Sequence, residues 1–268
     1  MAAETATPLD TRPRIRLENV AKSFDGRVVV DVEELVLGDH PIEGLIGPNG
    51  AGKTTLMRMI MHSTRLDRGR VALHPDGPES PSIVLSEMPA HQMAHHGVVK
   101  SNQVIMDFEQ LTILDSLLLS VARSEEERPF RLFNEDEVYE RRAEDISAYL
   151  DRFEFPDPLG YARSAGEKKL LDIIRCLLLE PRVLLLDEPA AGLPEDVRDR
   201  MMDVIKEKSA ADGMTVVLVE HDLEVVWSLS EYVHFMAEGS VILQGDPDEI
   251  RQHDTVVEKY LGGEHAGS

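Results

Sequence analysis

The chain has one cysteine, Cys176. No internal disulfide can form, and a reducing compartment suits it. Cys176 lies in LLDIIRCLLL, where a buried, inert thiol is expected. No apolar run reaches the roughly 18 residues of a membrane-spanning helix. The opening MAAETATPLDTRPR has no signal-peptide core and reads as a disordered lead over residues 1–13. Basic residues are scarce: 28 Lys and Arg stand against 50 Asp and Glu, a formal net charge of −22. Such a surface repels nucleic acid and anionic headgroups. No nucleic-acid partner is therefore expected, which argues against a translation factor or a DNA-repair ATPase. The acidic run SEEERP, Ser124 to Pro129, reads as a solvated loop. There is no repeat and no low-complexity segment. The remainder is ordinary: 268 residues, 42% hydrophobic, enough for a sizeable core in one large domain or a core with a smaller appendage.

The chemistry begins at Gly47–Thr55, GPNGAGKTT, which follows the apolar pair Leu45-Ile46. The pattern G-x-x-x-x-G-K-[ST] is that of a phosphate-binding loop. Gly47, Gly50 and Gly52 allow tight, partly left-handed turns that aim backbone N–H groups inward. The following helix adds its positive end. Asn49, Ala51 and Thr55 belong to the same cradle. Lys53 is expected to reach the β and γ phosphates, and the Thr54 hydroxyl to bind Mg²⁺. A nucleoside triphosphate is the implied ligand.

The remaining pattern is α/β. Ile15, Leu17 and Val20 in RIRLENVAKSF suggest a half-buried strand, and RVVVDVEELVL continues in the same style. From Val71 to about Lys100 the chain is turn-rich. Residues 104–165 read as a helical insertion, in which Ile146, Tyr149, Leu150 and Phe153 share one helix face. VLLLD (183–187) and TVVLVEHD read as strands buried on both faces. Val197, Met201, Val204 and Ile205 mark an amphipathic helix, and YVHFMAEGSVILQG a hairpin turning at Glu238-Gly239. Asp187, at a strand end, can hold Mg²⁺ through water. Glu188 follows directly and can polarise a water for attack on the γ phosphate. His221 closes another strand at the same sheet edge, placed to contact that phosphate and water.

In this order the motifs resemble those of the ATPase subunits of ABC transporters, over about Arg14 to Gly263. The resemblance implies a P-loop NTPase core of ABC ATPase type, with an N-terminal antiparallel β subdomain and an inserted α-helical subdomain. Residues 14–100 would form the β and P-loop part, 104–165 the insertion, 166–263 the rest of the core, and 264–268 a tail. Phe24 in KSFDG would stack on adenine. Gln103 in KSNQ would contact Mg²⁺ and the water and link to the membrane subunit. Ser164, Gly166 and Glu167 fall in the signature segment, RSAGEKK. Glu188 and His221 match the catalytic glutamate and the switch histidine. ATP and Mg²⁺ are the implied cofactors, and ATP hydrolysis coupled to transport the activity. Two such subunits would pair head to tail, each ATP lying between one phosphate loop and the other subunit's signature. Transmembrane permeases would be direct partners and a solute-binding protein an indirect one, with the chain cytoplasmic and peripheral on the inner face of the membrane. DEPAAGL, VEHDLEVV, GDPDEI and VVEKYLG resemble the ATPases of branched-chain amino acid importers; SFDG and FEQLTILDSLLL are similar to their urea- and amide-importing relatives. The YLG ending is shared with lipopolysaccharide-export ATPases. A soluble, non-transport ABC ATPase is the alternative from another class.

Departures from the family pattern concentrate where the partner would be met. Its signature reads Leu-Ser-Gly-Gly-Gln, against Arg163-Ser164-Ala165-Gly166-Glu167 here. Ala165 is expected to resist a positive-φ geometry that glycine permits, and Glu167 brings negative charge toward phosphate. Pro194 replaces an Asp or Asn, Asn102 an aromatic, and His62 a glycine. A heterodimer with unequal sites is favoured. Two further features carry less: His91 and His95, with His96 adjacent, have the spacing of a metal pair on a helix but read as surface histidines. Met57, Met59 and Met61 read as core filler.

Overall fold

The computed structural model describes residues 11–101, 111–126, 135–155, 157–162 and 164–261. Strands β1 (Arg14–Phe24) and β2 (Arg27–Leu37) form a hairpin. Its turn residues Asp25 and Gly26 have φ of 50° and 78°, as a two-residue primed turn requires. Ile15 and Leu17 are buried, and the next buried apolar residue is Val20. The alternation skips because Asn19 takes a φ of 49° and the pairing register slips there. Strands β3 (Ile42–Ile46), β4 (Arg68–His74) and β5 (Ile83–Val84) follow, and the first sheet is four-stranded and antiparallel, ordered β2-β1-β4-β5.

The second sheet adds β6 (Val98–Lys100), β7 (Val183–Asp187), β8 (Thr215–Val219), β9 (Tyr232–Ala237) and β10 (Ser240–Gly245). Its order is β10-β9-β3-β8-β7-β6, with only the β9–β10 pair antiparallel. Every residue of β3, β7 and β8 is buried. Both faces are covered, so β7 and β8 read as unbroken apolar runs. Glu238 and Gly239 make the β9–β10 turn, both at positive φ.

Side chains alternate between two cores. Leu45, Leu185, Val217 and Val219 pack with the antiparallel sheet and helix α1 (Lys53–Ile60). Met57 and Met59 are buried there, and Met61 packs against them partly exposed. Ile46, Leu184, Leu186, Val216 and Leu218 face the other way, toward a helical layer. That layer comprises α2 (Ile113–Glu126), α3 (Glu135–Arg152), α4 (Ala165–Leu178), α5 (Glu195–Asp212), α6 (Leu223–Leu229), α7 (Pro247–Gln252) and α8 (Asp254–Leu261). The face Ile146, Tyr149, Leu150 and Phe153 is buried in it, as are Met201, Val204 and Ile205, with Val197 partly so. Arg142 of α3 is buried and donates to the Leu178 carbonyl and to Glu180, capping the end of α4.

Three details depart from simple expectation. His62 follows α1 with φ 49°, and its Nδ1 lies 2.5 Å from the Met88 carbonyl. Glycine adopts that backbone without strain; here the ring is held against the Met88 carbonyl. His91, His95 and His96 sit in short 3₁₀ turns, Ala90–Gln92 and Ala94–His96, not on an α-helix. At the end of the lead, the Pro13 carbonyl accepts a 2.7 Å bond from buried Thr215.

Strand β3 is pinned to β9 by a polar contact inside the core. Glu43 and His234 are 0% and 1% exposed, with Glu43 Oε2 2.9 Å from His234 Nε2. The His40 N–H donates to the other carboxylate oxygen, and Gln244 contacts His234 Nδ1. Breaking one partner of such a pair strands the other. Glu43→Ala should therefore lower unfolding free energy by about 3–5 kcal/mol, while Glu43→Leu with His234→Leu should recover most of that loss. Denaturant unfolding of both variants checks it; equal losses would show that the pair does not act as a unit.

Candidate active site

The site is assembled by register. Leu45 pairs with Val219, and Val219 with Asp187. Three chain segments therefore leave the sheet at one height, from the C-terminal ends of β3, β7 and β8, where α/β sheets place ligands.

From β3 the chain enters the phosphate loop. A Cβ on Gly47 would lie 2.0 Å from the Met236 carbonyl, and one on Gly52 2.6 Å from the Val29 carbonyl. These two glycines are required by close approach as well as by φ of 151° and 107°. The Gly239 N–H donates to the Ala51 carbonyl at 3.0 Å. The loop is thus clasped between β2 and the β9–β10 turn. Asn49 and Gly50 are exposed at its crest. Lys53, Thr54 and Thr55 form the first turn of α1, which no side chain caps, so its N–H groups are suited to an anion. Lys53 is buried and donates to the carbonyls of Gly47 and Pro48 at 2.6 and 3.2 Å. Burial lowers its pKa, and the nearby Glu188 and Asp187 charges raise it.

From β7 come the carboxylates. Asp187 is fully buried. Its Oδ2 accepts from Lys100 at 2.9 Å, and its N–H donates to Ser101 Oγ. Its Oδ1 is buried with no hydrogen-bond partner among the described residues. An acidic oxygen desolvated and left bare fits a hydrated divalent cation, which takes one or two carboxylates and keeps its waters. Glu188 has φ 53° and donates its N–H to the Val219 carbonyl. That conformation is sparsely populated for a non-glycine residue and typical of functional sites. It brings Glu188 Oε1 to 3.1 Å from His221 Nε2, with the histidine side chain 49% exposed. Among the described residues no group of three or more His, Cys, Asp and Glu side chains could hold a metal.

Sequence reading missed Glu220, which is buried beside the site. Its two oxygens accept from the N–H groups of Ala190 at 2.7 Å and His221 at 3.0 Å. Burial pushes its pKa up, while backbone bonds from Ala190, His221 and Asp222 pull it down. It ties the turn after Glu188 to the loop of His221. The signal was its place between an apolar strand and His221, where a carboxylate must find partners or stay neutral. Lys100 and Lys169 were missed too, and no pattern marks them.

The other expected residues lie farther out. Phe24 is 47% exposed at the end of β1, with the Lys22 ammonium 5.3 Å from its ring centre. Ser164 caps α4: its Oγ accepts from the Glu167 N–H, and the Glu167 carboxylate accepts from the Ser164 N–H, both at 3.0 Å. A Cβ on buried Gly166 would lie 3.0 Å from the Gly192 carbonyl. Ala165 is already the first residue of α4 and has no positive φ. The expectation that its methyl group would resist a left-handed turn is thereby corrected, because Ala165 takes helical backbone geometry, which its methyl group suits. Pro194 precedes α5 without a side-chain cap. Gln103 and Arg163 lie outside the described residues.

The family described as ABC transporter matches residues 34–191. The high-affinity branched-chain amino acid transport ATP-binding protein BraF of Pseudomonas aeruginosa is 28% identical, over 94% of this chain and 99% of its own length. A probable branched-chain amino acid transport ATP-binding protein of Archaeoglobus fulgidus is 29% identical, over 93% and 96%. The lipopolysaccharide export system ATP-binding protein of Haemophilus influenzae is 30% identical, over 91% and 95%. Among solved structures, a nucleotide-free ATP-binding cassette from an ABC transporter superposes with a TM-score of 0.74 at 25% identity, over 92% of this chain and 98% of its own. The phosphate loop, the carboxylate edge and this match agree: the chain belongs to the ABC transporter family and is one of its ATPase subunits.

Proposed function

We propose that this chain binds and hydrolyses ATP to power an importer of branched-chain amino acids, urea or a similar small solute. The observation that carries the reading is the Glu188–His221 pair, 3.1 Å apart at the sheet edge that also holds the phosphate loop. The names of the branched-chain relatives support the solute class. No helix among the described residues is long and apolar enough to cross a membrane, which suits a subunit lying against separate permeases on the inner face. Residues 14–263 would act as one ATPase domain, with 104–165 as the insertion that meets the permeases.

In this reading Lys53 leaves the Gly47 and Pro48 carbonyls for the β and γ phosphates. The N–H groups of Gly47–Thr55 fix the phosphate chain, and Phe24 covers the adenine. Glu188 holds the attacking water and takes its proton. His221, held by Glu188, orients the same water and the γ phosphate. Thr54 and Asp187, with Gln103, would hold Mg²⁺, which neutralises charge on the phosphate oxygens.

A second ATPase subunit completes the site, and the capping box favours a different chain in that place. Glu167 sets its carboxylate at the N-terminus of α4, where a partner's γ phosphate would be received. Negative charge there already uses the helix's positive end. In a homodimer both sites would meet that carboxylate; in a heterodimer only the partner's own site would. Pro194 removes a second bridging side chain.

Glu188→Gln should keep ATP binding and slow turnover about 10²-fold or more, as loss of a general base does; near-normal turnover in a clean preparation would reject the assignment. Lys53→Ala should abolish nucleotide binding in a titration, since the lysine supplies direct charge to the phosphates, and unchanged affinity would place the site elsewhere. Turnover per site should rise when the chain is mixed with a neighbouring ATPase that carries an intact signature, and Glu167→Gln should raise the activity of the chain alone. Full activity alone, indifferent to both, would defeat the unequal dimer.

A further inference from the structure

Asp187 has a cation before any metal arrives. Lys100, the last residue of β6, places its Nζ 2.9 Å from Asp187 Oδ2 and 3.0 Å from its neighbour's carbonyl, that of Ser101. The pair is nearly dry, with the lysine side chain 15% and the aspartate 1% exposed. Lys169 of α4 adds a second ammonium at the Asp187 backbone carbonyl, 2.9 Å away. Strand pairing fixes the root of Lys100, which lies opposite Leu185 and two residues from Asp187 along β7. The lysine therefore cannot drift away from the carboxylate, although its flexible stem can swing.

This arrangement sets two demands against each other. Oδ1, without a hydrogen-bond partner among the described residues, is suited to a divalent cation, while the ammonium on Oδ2 would repel one across the width of a single carboxylate. Solvent and mobile ions soften such repulsion without removing it. Removing Lys100 would leave the buried Asp187 carboxylate without its direct ion pair whenever metal is absent. A lysine that can yield but not depart satisfies both conditions.

We propose that Lys100 is a positioning residue that serves as the resident counter-ion of Asp187 and competes with Mg²⁺ for its carboxylate. It keeps Asp187 in place between nucleotides and weakens the metal site, so that Mg²⁺ leaves readily with the spent nucleotide. The proposal rests on the reading of this edge as a metal–nucleotide site.

The test is a calorimetric titration of Mg²⁺ into the full chain loaded with ATP, in a Glu188→Gln background that removes turnover. Lys100→Gln should lower the half-saturating Mg²⁺ concentration about three- to tenfold, the effect of losing one nearby positive charge at high effective permittivity. Lys100→Arg, which keeps the charge, should stay within about twofold of the parent. Without metal, Lys100→Gln should melt at a lower temperature than the parent, and Mg²⁺ with ATP should close that gap. A role in packing alone would lower the melting temperature and leave the Mg²⁺ midpoint where it was, which overturns the proposal. Lys100→Met, which keeps the length of the stem, gives the same comparison if the glutamine variant does not fold. A parent that binds ATP with no Mg²⁺-dependent heat or melting shift overturns the metal site itself, a failure distinct from an unchanged midpoint.

Discussion

Parallel pairing of β8 with β3 on one side and β7 on the other sets Leu45, Val219 and Asp187 at a single height. The phosphate loop, the Glu188 turn and the His221 loop all start from that line. None of the three segments is regular structure, and each depends on its neighbours for shape. The phosphate loop is clasped by β2 and the β9–β10 turn, and the other two are joined through Glu220. A slip of β8 by one residue would exchange its faces between the two cores. The continuous burial of β3, β7 and β8 on both sides makes the chemistry a consequence of packing.

The charge of the chain gives this site an unusual setting. A net charge of −22 surrounds a cleft that must receive a polyanion. Locally the balance is different. Lys53, Lys100 and Lys169 are gathered within reach of Asp187 and Glu188, and the uncapped start of α1 adds its own positive end. Whole-chain charge therefore predicts which macromolecules are repelled and says little about the site.

The core was legible because its signals are local. Gly47–Thr55 carries its own geometry in its glycines, and unbroken apolar runs announce β7 and β8. The Glu238-Gly239 turn and the buried face of α3 follow from spacing alone. What was not legible depends on contacts between distant segments. Lys100 meets Asp187 across 87 positions, and no periodicity encodes that. Glu220 looked like an ordinary acidic residue until burial gave its oxygens two backbone partners. Ala165 was misread because its role depends on where α4 begins, which the Ser164–Glu167 capping box decides.

Glu220 also limits how the site can change over evolutionary time. One carboxylate grips the chain just after Glu188 and the chain at His221, so Glu188 and His221 share a single mount. Any drift in one loop is transmitted to the other. The two cannot diverge independently, and a variant that retunes either must also reshape the mount they share.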